Sequence, residues 1–222
     1  MADITNELSE NVAKLVELSK QLKEAKSDIK VLNQAEKQLK NGDIKAAYST
    51  VDGAKRLAPE HPGLDSLFRR IKPKFEQLEA DRLSSLSGPE RIKEAGDKAF
   101  KEANFEGAIE KYTKCLDSLT DQTSDLALKC FGNRAACYKQ LSNFDNTIAD
   151  CTAVLEVREN DVKALIRRAQ AFEACERYKF ALQDARQVLA MGVDGAGQAT
   201  IQLANGMQHR LNKVIQQLKA GC

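Results

Sequence analysis

A residue pattern that occurs three times constrains this chain more than any other feature. Four positions repeat 39 residues on and then 34 residues further. They are Gly96, Phe105, Ala108 and Leu116, then Ala135, Phe144, Thr147 and Leu155, then Ala169, Tyr178, Ala181 and Leu189. Small residues at fixed offsets let two helices approach closely, and an aromatic residue can fill the gap between neighbouring units. The spacing therefore predicts three stacked helix–turn–helix units.

Each unit is predicted to contain two helices. The first helices are expected at about Glu90–Ala103, Leu128–Leu141 and Val162–Cys175, and the second at about Phe105–Leu119, Phe144–Val157 and Tyr178–Met191. The wider first spacing places five extra residues in the polar loop Asp117–Asp125, where an insertion leaves the stack intact. Ser87 followed by Glu90 is a capping-box pattern, which fixes the start of the first unit.

The last unit needs a cover, because it would otherwise expose its apolar face. We expect a loop at Gly192–Gly197 and then an amphipathic helix at Gln198–Lys219. Its apolar side is predicted to carry Leu203, Met207, Leu211, Ile215 and Leu218. Three aromatic residues, Tyr138, Phe172 and Phe180, lie at core offsets of the repeat, which favours packing over base stacking.

Residues 1–86 carry a divergent copy of the pattern. Ala35, Ile44, Ala47 and Ala54 precede Gly96, Phe105, Ala108 and Cys115 by 61 residues each. Helices are expected at Thr5–Lys26, Asp28–Lys40, Ile44–Leu57 and Leu64–Ser85, with a kink or break at Pro73. The apolar stripe Leu8–Leu22 suits either burial against this segment or a partner helix. The small, polar stretch Ser84–Pro89 predicts a boundary between domains at 1–86 and 87–222.

Composition excludes several functional classes. The 222 residues carry a net charge of +2, and neither half is strongly basic, so nucleic acid and membrane surfaces are not expected partners. No apolar run approaches a membrane span, and the N-terminus lacks a signal-peptide core. Five cysteines (Cys115, Cys130, Cys137, Cys151 and Cys175) occupy small apolar helix positions. They predict reduced core thiols, no metal site and a cytoplasmic location.

No catalytic motif or cofactor-binding loop is recognisable, so neither an enzyme nor a cofactor is expected. The first helices of such units line an inner wall, where residues three or four apart share a face. That face carries Lys93 and Asp97, then Lys129, Asn133 and Ala136, then Lys163, Arg167 and Gln170. Fixed cations beside an amide suit a carboxylate ligand.

The 34-residue unit is that of the tetratricopeptide repeat. Residues 90–190 also resemble the repeat domains of heat-shock co-chaperones, such as the heat-shock organising protein and the myosin-folding co-chaperones. The segments that carry the resemblance are IKEAGDKAF, FEGAIEKYTKCL, GNRAACYKQL, DVKALIRRAQAFEA and YKFALQDARQVL. The resemblance implies an all-α solenoid that holds the acidic C-terminus of heat shock protein 70 or 90, ending Glu-Glu-Val-Asp, in a two-carboxylate clamp.

The clamp pattern of that family is Lys, Asn, Asn, Lys, Arg. The resemblance implies that Lys93, Asn133, Lys163 and Arg167 bind the peptide carboxylates. Asp97 departs from the pattern, because it stands where the family has its first Asn. A carboxylate at this position would repel the ligand and could pair with Lys93 one turn away. The alternative is a scaffold that assembles with another peptide, helix or client protein, in which these cations are ordinary solvated charges.

Overall fold

The computed structural model describes residues 28–220, and within this range the chain forms helices and turns without a strand. The all-α prediction is therefore confirmed. The predicted helix Thr5–Lys26, the stripe Leu8–Leu22 and Cys222 lie outside the described residues. The chain divides into two compact units, unit 1 up to Ser85 and unit 2 from Leu86. That the two units are separate domains stays a prediction.

The described part of unit 1, residues 28–85, contains the helices α1 (residues 28–40), α2 (Ile44–Leu57) and α3 (Pro62–Ser85). The turn after α1 uses Gly42 at a φ of 78°, a left-handed conformation that glycine adopts without strain. Asp43 then caps α2 by accepting a hydrogen bond from the Ala46 amide at 3.0 Å. The buried core of this unit contains Ala35, Ala47, Val51, Leu64, Leu67 and Ile71.

Of the kink or break predicted at Pro73, the break is wrong, because α3 continues through this residue, and the kink stays a prediction. Proline removes one backbone donor, so the carbonyl four residues earlier, on Arg69, loses its partner. Both Arg69 and Pro73 are exposed. Water can therefore satisfy the freed carbonyl, and the helix continues.

Unit 2 contains the three predicted hairpins and a cap. Its helices are α4 (Gly88–Lys101), α5 (Phe105–Asp117), α6 (Asp125–Gln140), α7 (Phe144–Val157), α8 (Val162–Ala174), α9 (Tyr178–Ala190), α10 (Gly192–Ala196) and α11 (Gln198–Ala220). Each helix from α4 to α9 packs on the next, and α11 packs on α9. The first helices also contact one another, α4 with α6 and α6 with α8. These contacts make one continuous wall from the three first helices.

The small residues of the repeat are buried as predicted. Ala135 and Ala169 on the first helices and Ala108 and Ala181 on the second have no exposed surface. Four of the five predicted core thiols, Cys115, Cys130, Cys137 and Cys151, are also fully buried. Cys175, which caps the C-terminus of α8, is only half-buried.

The hairpin turns repeat as regularly as the helices. Ala103, Ser142 and Glu176 follow the three first helices, and each adopts a positive φ of 56–59°. In the first two hairpins an asparagine then caps the second helix. Asn104 accepts a hydrogen bond from the Gly107 amide at 2.9 Å, and Asn143 accepts one from the Asn146 amide at 3.4 Å. The connection between α5 and α6, residues 118–124, is three residues longer than the one between α7 and α8, residues 158–161. The predicted loop therefore holds only part of the five extra residues, and the longer helix α6 takes up the rest.

Predictions for the last hairpin and its cap are wrong at Gly192–Gly197, at Phe180 and at two residues of the α11 stripe, whereas Met207 and Leu211 are buried as predicted. Gly192–Gly197 is not a plain loop, because residues Gly192–Ala196 form the short helix α10. The buried face of α11 is made by Ala204, Met207 and Leu211, whereas Leu203 and Leu218 are 44% and 57% exposed. Leu203 lies one residue, about 100° of helix rotation, away from Ala204, so it turns out of the core.

Phe180 is likewise not a core residue. It is 57% exposed and contacts Phe172 with its ring at a centroid distance of 5.3 Å. Tyr178, two residues earlier, is the aromatic residue of α9 that packs on the core cluster of Ala169, Ala181 and Leu211.

No helix within residues 28–220 is long and apolar enough to cross a membrane.

Candidate functional site

The candidate site lies along the wall formed by α4, α6 and α8. Lys93 and Asp97 are one turn apart on α4, and Ser87 fixes where this helix begins. The Ser87 hydroxyl accepts from the Glu90 amide at 3.4 Å, while Glu90 Oε2 accepts from the Ser87 amide at 2.8 Å. This is the predicted capping box, and it is confirmed.

The close packing of the Tyr112 ring against Gly96 shapes the floor of the site. A Cβ at Gly96 would lie 2.8 Å from Cε1 of Tyr112, closer than packed carbon atoms approach. Because Gly96 has no side chain, the ring of Tyr112 passes α4 and reaches Asp97. In the next two repeats the equivalent pairs are Ala135 with Cys151 and Ala169 with Ala185. Only the first hairpin therefore places a hydroxyl beneath the wall at this position.

The Asp97 carboxylate is the centre of a hydrogen-bonded cluster. Its Oδ2 accepts from Lys93 Nζ at 2.6 Å. Its Oδ1 accepts from the Tyr112 hydroxyl at 2.8 Å and from Asn133 Nδ2 at 2.9 Å. The side chains of Lys93 and Asp97 are 22% and 24% exposed, so the pair is partly shielded from water. The structure thus brings Lys93 and Asn133 together, but on a carboxylate of the protein itself.

Tyr112 is held as a donor in this cluster. Its side chain is 1% exposed. Burial raises the pKa of its hydroxyl well above the ordinary value, and the hydrogen bond to Asp97 raises it further. The hydroxyl therefore keeps its proton and donates a hydrogen bond to Oδ1 of Asp97.

The other predicted residues line a neighbouring cleft. A cavity of about 190 Å³ is bordered by Lys129, Asn133, Lys163 and Arg167, together with Arg158 and the acidic residue Asp161. Lys129 and Arg158 both pair with Asp125, Lys129 at an Nζ–Oδ2 distance of 3.2 Å. Lys163 and Arg167 form no ion pair with any acidic side chain in residues 28–220.

The cationic surface extends further along α6 and α8. A second cleft of about 270 Å³ is lined by Lys139, Lys163, Arg167 and Gln170. Lys139 Nζ donates a hydrogen bond to Gln170 Oε1. Burial and the neighbouring Arg167 lower the pKa of Lys139, as expected where positive charges converge. Ala136 borders a third cleft of about 200 Å³ with Asp97 and Asn133.

Sequence reasoning missed two residues of this site. Lys139 lies three residues beyond Ala136, so one further step of the same helical spacing would have reached it. Tyr112 is the only large residue among the equivalent positions Tyr112, Cys151 and Ala185. Its coincidence with the only glycine at the small position, Gly96, was the available signal.

Two buried ion pairs behind the wall were also missed. Arg134 on α6 binds Asp150 on α7 through two hydrogen bonds of 2.9 and 2.8 Å. Arg168 on α8 binds Asp184 on α9 with the same two distances. The two pairs are 34 residues apart, so the repeat spacing could have revealed them. The two pairs fix α6 on α7 and α8 on α9, and they thereby orient the wall residues that α6 and α8 carry.

Each arginine also ties its hairpin to the preceding one. Nη1 of Arg134 donates to Thr113 Oγ1 at 2.9 Å, and Nη1 of Arg168 donates to Thr152 Oγ1 at 3.1 Å. Thr113 and Thr152 lie on α5 and α7, the second helices of the preceding hairpins. The bonds therefore help to set the register between repeats.

The sequence is similar to that of known proteins. No family model matches the sequence. The chain is 36% identical over 129 residues to sperm-associated antigen 1A of Danio rerio, a match that covers 56% of this chain and 29% of that relative. The chain thus spans less than a third of the length of this curated relative.

Among the solved structures that are similar to this chain are two peptide complexes. The myosin chaperone UNC-45 from C. elegans, in complex with an Hsp90 peptide, gives a TM-score of 0.53 with 30% identity, covering 61% of this chain and 15% of that one. The first TPR of Spaghetti (RPAP3), bound to the HSP90 peptide SRMEEVD, gives a TM-score of 0.50 with 25% identity, covering 58% and 93%. The tetratricopeptide-repeat solenoid and its similarity to co-chaperone domains are confirmed.

Proposed function

We propose that this protein is a co-chaperone or adaptor whose unit 2 binds the acidic C-terminal tail of heat shock protein 70 or 90. The observation that carries the proposal is that Lys163 and Arg167 border a cleft together with Asn133 and form no ion pair within residues 28–220. Two cations fixed in one cleft can hold a peptide carboxylate by charge-assisted hydrogen bonds. Lys93 lies at the α4 end of the same wall, where it is paired with Asp97.

The peptide complexes of the similar structures support this proposal. UNC-45 and Spaghetti (RPAP3) are each described with an Hsp90 peptide, and the latter peptide, SRMEEVD, ends in acidic residues. A tail of this kind offers several carboxylates to a groove lined by lysine, arginine and asparagine. The proposed role is binding rather than catalysis, needs no cofactor, and is expected in the cytoplasm.

The test is a titration of the peptide SRMEEVD against purified full-length protein. The wild type should bind, and Lys163→Glu should weaken binding about tenfold or more, equivalent to about 1.4 kcal/mol. Lys179→Glu is the matched control. It makes the same change of charge on α9, where Lys179 borders a different cleft. Its effect should stay within about threefold, since only long-range charge is altered.

Salt provides an independent readout. Raising the ionic strength from about 0.1 M to about 1 M shortens the Debye length from about 10 Å to about 3 Å, so charge-driven binding should weaken strongly. Equal loss of binding in both variants would contradict a local role for Lys163. Absence of binding by the wild type would leave the alternative, an assembly scaffold for a different peptide or client.

A further inference from the structure

Asp97 sits in a complete carboxylate site. Three donors from three different elements converge on it: Lys93 Nζ from α4, the Tyr112 hydroxyl from α5 and Asn133 Nδ2 from α6, at 2.6, 2.8 and 2.9 Å. A carboxylate accepts through about four lone-pair directions. Asp97 thus uses most of its own acceptor capacity and engages all three of these donor groups at once.

We propose that Asp97 is a built-in occupant of the groove, whose carboxylate takes the donors that a second carboxylate of the ligand would need. The wild-type groove then recognises one side-chain carboxylate of the peptide, at Lys163 and Arg167, and gives the terminal carboxylate no fixed site. This inference rests on the proposed function, because it assigns the specificity of the same groove. Asp97 is the specificity-determining residue.

A ligand carboxylate competes poorly with Asp97 for geometric reasons. Asp97 is already attached to the wall one helical turn from Lys93, so it needs no association step to reach its donors. Tyr112 is fixed beneath it by burial and by the missing side chain at Gly96. An incoming carboxylate would also have to approach the negative charge of Asp97.

Asn133 divides the groove into its two parts. It borders the cleft that contains Asp97 and also the cleft that contains Lys163 and Arg167. One N–H of its Nδ2 donates to Asp97, so the orientation of this amide is set by the Asp97 carboxylate.

Asp97→Asn is the variant that empties the site with the least change of shape. The amide oxygen of the new side chain can still accept from Tyr112 or Asn133, while Lys93 loses its ion-pair partner and becomes available to a ligand. Asp145→Asn is the matched control. It removes the same charge from the exposed start of α7, outside the three clefts.

The experiment compares two peptides, SRMEEVD with a free C-terminal carboxylate and the same peptide amidated, against three full-length proteins by calorimetric titration. For the wild type and Asp145→Asn, amidation should cost less than about threefold, because the removed carboxylate has no fixed site. Asp97→Asn should bind the free acid about tenfold more tightly than the wild type and should lose about tenfold on amidation.

The outcomes separate the two proposals. Wild-type binding that depends on Lys163, with no gain in Asp97→Asn, would refute the role of Asp97 and leave the proposed function standing. Binding by Asp97→Asn but not by the wild type would support the role of Asp97 and refute tail binding as the natural function. A wild type that already loses tenfold on amidation would refute the inference directly. If Asp97→Asn fails to fold, Asp97→Ser removes the same charge and should show the same preference for the free acid.

Discussion

Arg168 on α8 and Asp184 on α9 form a buried, two-point ion pair whose loss should destabilise unit 2. Asp184 is 3% exposed, and both of its oxygens accept from the guanidinium, at 2.9 and 2.8 Å. The substitution Asp184→Ala removes both acceptors and leaves the Arg168 charge in a shielded position. The same guanidinium keeps one further bond, to Thr152 on α7.

The magnitude follows from what remains unpaired. Removing one partner of a buried ion pair costs about 3–5 kcal/mol, because the other charge stays without compensation. The Arg168 side chain retains 20% exposure, so water reaches part of it. We therefore expect the lower end of that range, about 3 kcal/mol. Arg168→Met combined with Asp184→Leu should recover most of this loss, since no unpaired charge is left.

The assay is urea denaturation followed by circular dichroism, with hydrogen exchange of the α8 and α9 amides as the local readout. Arg186→Ala, on the exposed side of α9, is the control and should change stability by less than about 0.5 kcal/mol. A loss below about 1 kcal/mol for Asp184→Ala would show that the ion pair contributes like a surface pair. A double variant no more stable than Asp184→Ala would refute the reasoning about the stranded charge.

Three further changes test other parts of unit 2. Gly96→Ala should cost about 1–3 kcal/mol, measured by denaturation, because its Cβ would overlap the buried Tyr112 ring; no loss would show that the ring can move. Ser87→Ala should cost about 1 kcal/mol by removing the cap of α4. The Ser87 hydrogen bonds lower the pKa of Glu90, so part of the cap's effect exists above the ordinary carboxyl pKa. It should disappear in a pH series as the pH falls through the lowered value. Phe180→Ala should lower the free energy of unfolding only slightly, because Phe180 is more than half exposed. The same substitution at a buried phenylalanine costs about 3–5 kcal/mol.

Repeat spacing predicted the local structure of unit 2 well because the same steric demand recurs in each hairpin. The start of each second helix, at Phe105, Phe144 and Tyr178, was predicted at the residue where it occurs. The positions where paired helices cross need small residues in every hairpin, because the helices approach closely there. These features depend on near neighbours along the chain, which is the information a single sequence carries.

Errors concentrate where packing partners differ from repeat to repeat. The cap α11 replaces a hairpin, so the identity of its buried stripe depends on how it is rotated against α9. Leu203 and Ala204 are both compatible with an amphipathic pattern, and only the packing shows that Ala204 is buried. Phe180 and Tyr178 raise the same ambiguity on α9, and the core takes Tyr178. Hydrophobicity alone does not decide between adjacent residues.

Asp97 shows most clearly what one-dimensional reasoning reaches. Its pairing with Lys93 was predictable, because the two residues are four apart on one helix. The bonds from Tyr112 and Asn133 were not, since those residues lie 15 and 36 positions away on other helices. A carboxylate with one donor can be displaced, whereas a carboxylate with three donors is part of the site. It follows that the ligand preference proposed for this groove rests on its tertiary contacts, so a match to four residues of a motif does not by itself define what the groove would bind.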